Sequence, residues 1–206
     1  MYICENSNQV LLCGTVVETP ALSHRSRQEA FYRFPLRVER LSGAADTLNV
    51  IARERLLRGL PLQPGDRVRA EGEVRTFNNK SGEGAKLVIS LFARSILPAP
   101  EAEDENRVAL TGTLCKPPML RRTPLGREVC DLMLAVNRSY GRSDYLPCIA
   151  WGVRAREAAD WTVGTVVTLQ GRFQSRVYRK LLPDGRRIEK TAYEISAMEI
   201  QQAECM

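Results

Sequence analysis

Apolar and polar residues alternate with a period of two along most of this chain, and the alternation comes twice. In the second set Val108, Leu110, Gly112 and Leu114 lie between Arg107, Ala109, Thr111 and Thr113. Cys130, Leu132, Leu134 and Val136 form the next run, and Val167, Leu169, Gly171 and Phe173 another. Successive side chains of a strand point to opposite faces, so this pattern predicts half-buried antiparallel strands. One helical stretch interrupts each set, Arg53 to Leu60 and Val153 to Trp161, and a glycine turn follows at Gly65 and at Gly164. Turn residues at 79–82 and 183–185 predict a hairpin before the last strand of each set.

The two sets are copies. Asn8 to Val16 aligns with Asn106 to Leu114 at an offset of 98, as do Pro20 with Pro118, Phe34 to Arg40 with Leu132 to Arg138, and Leu48 to Ala52 with Leu146 to Ala150. The offset becomes 99 at Gly65/Gly164 and Gly72/Gly171, and it reads as 106 at Ile89/Ile195. A period near 100 residues is too long for a solenoid unit and fits a duplicated domain. Residues 1–97 form the first domain, residues 98–105 an acidic, proline-bearing linker, and residues 106–206 the second. Five strands with a short helix between the third and fourth describe an OB-fold. The expected fold is therefore all-β, two tandem OB-folds, each a five-stranded Greek-key barrel.

Composition narrows the function. No apolar run approaches the roughly 20 residues a spanning helix needs, and Met1 to Asn6 shows no leader pattern, so a cytoplasmic protein without membrane contact is expected. The six cysteines include no C-x-x-C pair and His24 is the only histidine, so no metal and no cofactor are expected and the cysteines read as structural. Without a second histidine, a P-loop, a G-x-G-x-x-G or a paired-carboxylate motif, a binding module is favoured over an enzyme. Residues 1–100 hold 14 basic and 10 acidic side chains, and residues 106–206 hold 16 and 10, so each copy alone suits a polyanionic partner.

The second copy adds rings to those cations. Tyr140, Tyr145, Trp151 and Tyr178 are interleaved with Arg138, Arg142, Arg172, Arg176, Arg179 and Lys180, and Arg186 and Arg187 follow in the last hairpin. Arg172, Arg176 and Tyr178 have the parity opposite to Val167, Leu169 and Phe173, which places them on the outer face. Bases of a single strand stack on such rings while arginine and lysine follow the phosphates. Trp161, on the helix, is expected to pack in the core instead. At the ring positions the first copy has Ser42, Thr47 and Arg53, with Phe77 near the fourth; its candidates are Arg53, Arg55, Arg75, Phe77, Lys80 and Lys86.

On these residues the second copy resembles the bacterial single-stranded DNA-binding protein family, with a looser similarity to primosomal replication protein N. The resemblance rests on Leu110 to Leu114, Pro117 and Pro118, Leu134 to Tyr140, Asp144 to Gly152, Val163 to Arg172 and Gln174 to Tyr178. It implies that Tyr140, Tyr145, Trp151 and Tyr178 take the family's stacking positions. It also implies sequence-independent binding of single-stranded DNA in replication, repair, recombination or mobile-element maintenance, and a homodimer that gives four OB-folds. The family's acidic, hydrophobic-tipped recruiting tail has no counterpart in Ile200 to Met206. The alternative is a primosome or mobile-element accessory protein acting through protein contacts with weak nucleic-acid binding; RNA binding is a third reading.

Overall fold

The computed structural model of the protein describes residues 8–78, 87–138, 141–181 and 185–203. Its first half contains β1 (Asn8–Val16), β2 (Ala21–Ser26), β3 (Glu29–Glu39), β4 (Ala45–Arg53), α1 (Glu54–Leu57), β5 (Arg67–Asn78) and β6 (Leu87–Pro98). The second half repeats them as β7 (Glu105–Leu114), β8 (Met119–Arg122), β9 (Glu128–Asn137), β10 (Ser143–Trp151), α2 (Val153–Ala159), β11 (Val166–Leu181) and β12 (Arg187–Gln202).

Pairing runs β1 to β3, β4, β6, β5 and back to β1, with β4 and β6 parallel, and so closes a five-stranded barrel. The circuit β7, β9, β10, β12, β11 closes the second barrel in the same way. Within each circuit the helix follows the third strand. The chain is all-β with two OB-type barrels. Two strands were not anticipated: β2 pairs with β3, and β8 with β9, each widening one face of its barrel. Their residues are exposed throughout, so they carry no buried apolar alternation that would mark them in the sequence.

Both helices are shorter than the pattern predicts. α1 stops at Leu57 because Gly59, at φ +75°, turns the chain. α2 ends at Ala159, and Trp161 just beyond it packs half-buried against the core. Each barrel is filled by the inward parity of its strands. Leu12, Phe34, Leu48 and Leu91 are fully buried in the first, and Leu110, Leu134, Leu146, Phe173 and Ile195 in the second.

The register of the last strands corrects the repeat. Val50 on β4 pairs with Leu91, and its equivalent Cys148 on β10 pairs with Ile195, so the last strands stand at an offset of 104 rather than 106. A slip of two residues keeps every side chain on its own face, so apolar alternation cannot detect it. The repeated Gly72 and Gly171 sit at register shifts in β5 and β11. A Cβ on Gly72 would lie 2.1 Å from the Phe92 carbonyl oxygen, and one on Gly171 2.1 Å from that of Ser196. Only glycine lets these backbones approach.

The barrels are joined edge to edge. β1 and β7 pair antiparallel from Asn8↔Leu110 to Cys13↔Glu105, which makes one continuous sheet through both halves. The repeated asparagine at the start of each copy ties its strand to the next strand of its own barrel. Asn8 bonds the carbonyl and N–H of Val74 at 2.8 and 2.9 Å, and Asn106 does the same for Phe173 at 2.6 and 2.9 Å. Residues 98–105 are held as well. Arg67 donates to the Ala102 carbonyl and to Asp104 Oδ1, both at 2.6 Å, and Asp104 Oδ2 accepts from the Glu39 N–H at 2.5 Å.

Two reciprocal clasps flank the seam. Asp144, wholly buried, accepts from Arg138 Nε at 2.5 Å and from the Thr76 N–H and hydroxyl of the other half at 2.5 and 3.2 Å. Arg138 Nη2 also reaches the Thr76 carbonyl at 2.9 Å. In the reverse direction buried Asp46 accepts from Arg40 Nε at 2.7 Å, and from the Ser175 N–H and hydroxyl at 2.7 and 3.2 Å. Arg40 Nη2 donates to the Ser175 carbonyl at 3.2 Å. Each half thus projects a buried, charge-assisted fork onto a strand of the other.

Candidate nucleic-acid interface

Directly opposed residues on paired strands share a face. In the second half Arg121 on β8 opposes Val129 on β9, which opposes Trp151 on β10. Trp151 donates from Nε1 to Ser196 Oγ on β12 at 3.1 Å, and Ser196 opposes Arg172 on β11. Along the same parity lie Tyr145 on β10 and Arg176 and Tyr178 on β11. Tyr145 is 53% exposed and Trp151 and Tyr178 are each 37% exposed, so three rings are open to solvent on the wall of one barrel. Rings with a polar edge that stay this open are available to a partner.

The cations around them differ in use. Arg176 lies 5.7 Å over the Tyr178 ring and 3.9 Å from Glu194. Arg172 Nε is buried with no hydrogen-bond partner among the described residues, which leaves a donor beside Trp151 for an incoming acceptor. Arg179 pairs with Glu189 at 3.3 Å, and Arg142, Arg186 and Arg187 are exposed. Arg138, expected to follow phosphates, is placed in the clasp on Asp144, so its guanidinium is spent on architecture. Tyr140 and the side chain of Lys180 lie outside the described residues.

In the first half Phe77 is 51% exposed, Arg55 is exposed on α1, and Lys80 and Lys86 lie outside the described residues. Arg53 pairs with Glu29 at 3.7 Å and Arg75 with Glu73 at 2.7 Å. Position-by-position comparison of the copies did not find the rings of this half. His24 stacks on Phe31 at a centroid separation of 4.7 Å, and Phe31 meets Phe92 at 5.9 Å. The corrected offset is the signal that finds Phe92, because it makes that ring the equivalent of Ser196, the partner of Trp151.

Among the described residues no group of three or more His, Cys, Asp or Glu is placed to hold a metal, and no helix is long and apolar enough to cross a membrane. Burial pushes the thiols of Cys13, Cys130 and Cys148 up from their ordinary value, so they stay protonated and pack as small apolar groups.

Residues 105–203 match a family model described as the single-strand binding protein family. The second half of this chain belongs to that family. Single-stranded DNA-binding protein 2 of Listeria innocua is 37% identical over 103 residues, a match covering 47% of this chain and 62% of that one. The single-stranded DNA-binding protein of Bacillus cereus is 36% identical over 103 residues, covering 47% and 58%. The chain thus spans less than two thirds of the length of these relatives. The crystal structure of wild-type single-stranded DNA binding protein from Thermus aquaticus superposes with a TM-score of 0.78 over 97% of this chain and 94% of that one, at 23% identity. A deletion mutant of it gives 0.77 over 98% and 97%, at 24% identity. At that identity the likeness is one of fold, and it extends through the first half.

Proposed function

We propose that this protein binds single-stranded DNA, without catalysis and largely without reading sequence. The observation that carries this is the exposed set of Tyr145, Trp151 and Tyr178 on one barrel wall, bordered by Arg172 and Arg176. Every base offers a π-face, and each stack contributes on the order of 1–3 kcal/mol, so three rings and a few cations give affinity with little base discrimination. Tyr140 is the fourth stacking position in this reading. Arg142, Arg179, Lys180, Arg186 and Arg187 line the strand's path, the last four on the long β11–β12 hairpin. The net charge of +6 favours the same partner. DNA replication, repair and recombination are the processes in which such a protein acts.

The functional units are residues 1–97 and 106–206, joined by 98–105. A homodimer of such chains brings four barrels together. Because β1 and β7 cover each other's edges within one chain, the partner must use another surface.

Titration of tryptophan fluorescence with dT and rU oligomers at two salt concentrations tests the reading. Both tryptophans, Trp151 and Trp161, lie in the second half. Strong quenching by dT that weakens with salt is expected, and a flat response to dT at low salt refutes it.

A further inference from the structure

An indole carries one polar atom, an N–H that can only donate. On a ring half open to solvent, packing alone does not fix one orientation, and the N–H is the handle by which the protein can hold it. Trp151 ends β10, where the Gly152 N–H donates to the Glu128 carbonyl at 3.0 Å and the chain turns into α2. On one side, across β9, stands the fully buried Val129. On the other, β12 runs parallel, with Ser196 paired to Ile149, two residues before Trp151. Residues two apart on a strand share a face, so the ring has an apolar neighbour on one flank and a hydroxyl on the other. The indole goes to the hydroxyl, at 3.1 Å from Nε1 to Oγ.

That hydroxyl is a fixed point. Ser196 is 4% exposed, and its strand is paired on both sides, with β10 through Ile149 and with β11 through Arg172. Of Tyr145, Trp151 and Tyr178, Trp151 is the ring whose polar atom is hydrogen-bonded among the described residues. The first half shows that the barrel itself does not call for a serine here. With the last strands at an offset of 104, Trp151 corresponds to Arg53 and Ser196 to Phe92. The strand pairings around those positions are the same in both barrels. The hydroxyl therefore occurs in the half that has the indole, and both are missing from the other half.

We propose that Ser196 is a positioning residue of the binding site: its hydroxyl accepts the Trp151 N–H and holds the indole in the one orientation that receives a base. The proposal rests on single-strand binding by the second half. Ser196 acts through Trp151 and touches no base itself. A stack forms only when ring and base planes coincide, so a ring that turns freely must be immobilised as the base arrives. A ring already bound to a rigid strand has met that cost before the ligand comes, which is preorganisation in its simplest form.

The test is a double-mutant cycle in the full-length chain carrying Trp161→Phe. Trp161 packs against the core, where a phenyl ring keeps the apolar contact, and its removal leaves Trp151 as the only fluorescent indole. Affinity for a labelled dT oligomer of about 8 nucleotides, within the span of one OB barrel, is read by anisotropy. Ser196→Ala should weaken binding about two- to tenfold, the cost of immobilising one side chain. In the free protein it should also speed the depolarisation of Trp151 emission, which reports ring motion directly. Ser196→Thr keeps the hydroxyl and should restore both. With Trp151→Phe, whose ring has no N–H, Ser196→Ala should change affinity by less than about 1.5-fold, because the coupling is gone. A serine that merely supports the fold would weaken binding alike with either ring. Equal losses in the two backgrounds therefore overturn the proposal, and so does a Ser196→Ala protein that binds as tightly as its parent. A parent that does not bind dT at all instead refutes the second-half reading, and the positioning role falls with it.

Discussion

Removing the Asp144 carboxylate should be among the most damaging single changes to this fold. Asp144 is wholly buried and holds two partners from opposite halves, Arg138 at Nε and Nη2 and Thr76 at its N–H and hydroxyl. Asp144→Ala leaves Arg138 without its counter-charge and the buried Thr76 N–H without its acceptor. Breaking a buried pair from one side costs about 3–5 kcal/mol. Arg138 is 23% exposed and recovers some hydration, which puts the expected loss near the lower end, about 3 kcal/mol. For a chain of this size each kcal/mol moves the melting temperature by about 2–4 °C, so a drop of about 6–12 °C is expected. Asp46→Ala should behave alike, because Asp46 is equally buried and holds Arg40 and Ser175 in the same geometry. Thr76→Ala should cost only about 1 kcal/mol, since its backbone groups still engage the clasp. Calorimetry checks this: one cooperative transition for wild type, lower for each aspartate variant, and two separated transitions for the double variant. A loss below about 1 kcal/mol in both single aspartate variants would show that the clasps are ornamental and the β1–β7 seam alone joins the halves.

Other expectations concern binding, backbone, acid and assembly. Trp151→Ala should weaken binding to short dT by about 1–3 kcal/mol, measured by anisotropy of a labelled oligomer. Gly171→Ala and Gly72→Ala should each destabilise by at least about 1–3 kcal/mol, read as a fall in melting temperature, because the new Cβ meets a carbonyl oxygen at 2.1 Å. Burial pushes the Glu73 carboxyl up, but Arg75 and Arg94 outweigh it and hold it below its ordinary value. Its contribution to stability is therefore present above the unfolded carboxylate pKa and lost as pH falls through the lower folded value, and Glu73→Gln should flatten that part of the acid-unfolding curve. Sedimentation should give a dimer at micromolar concentrations, and a monomer throughout that range would refute the four-barrel assembly.

The sequence discloses what repeats with the period of its strands. Alternation such as Val108, Leu110 and Leu114 marked barrel strands, and the matched Asn8/Asn106 and Gly72/Gly171 marked a duplication whose seam and register shifts now have physical causes. Three things were hidden. β2 and β8 bury nothing, so no pattern could reveal them. The last-strand offset was open to a slip of two because such a slip preserves every face, and that slip concealed Phe92 as the equivalent of Ser196. Arg138 looked like a phosphate contact because nothing local shows that Asp144, six residues on, buries its carboxylate against the other half. Rings and cations on exposed parity are legible in sequence; whether a cation is already engaged is decided by residues more than 60 positions away, as Thr76 shows.

What the halves share builds and joins the barrels, and what they do not share faces solvent. Asn8 and Asn106, and Gly72 and Gly171, make equivalent contacts within each barrel, while Arg40 and Arg138 with Asp46 and Asp144 make equivalent clasps between the barrels. A pseudo-twofold join of this kind needs each contact twice, so a change on one side leaves an unmatched buried group, at a cost of about 1–3 kcal/mol or more for a charge. No such coupling restrains the outer faces. There Trp151 faces Arg53 in the comparison and Ser196 faces Phe92, and each face keeps one ring beside one polar partner with the strands exchanged.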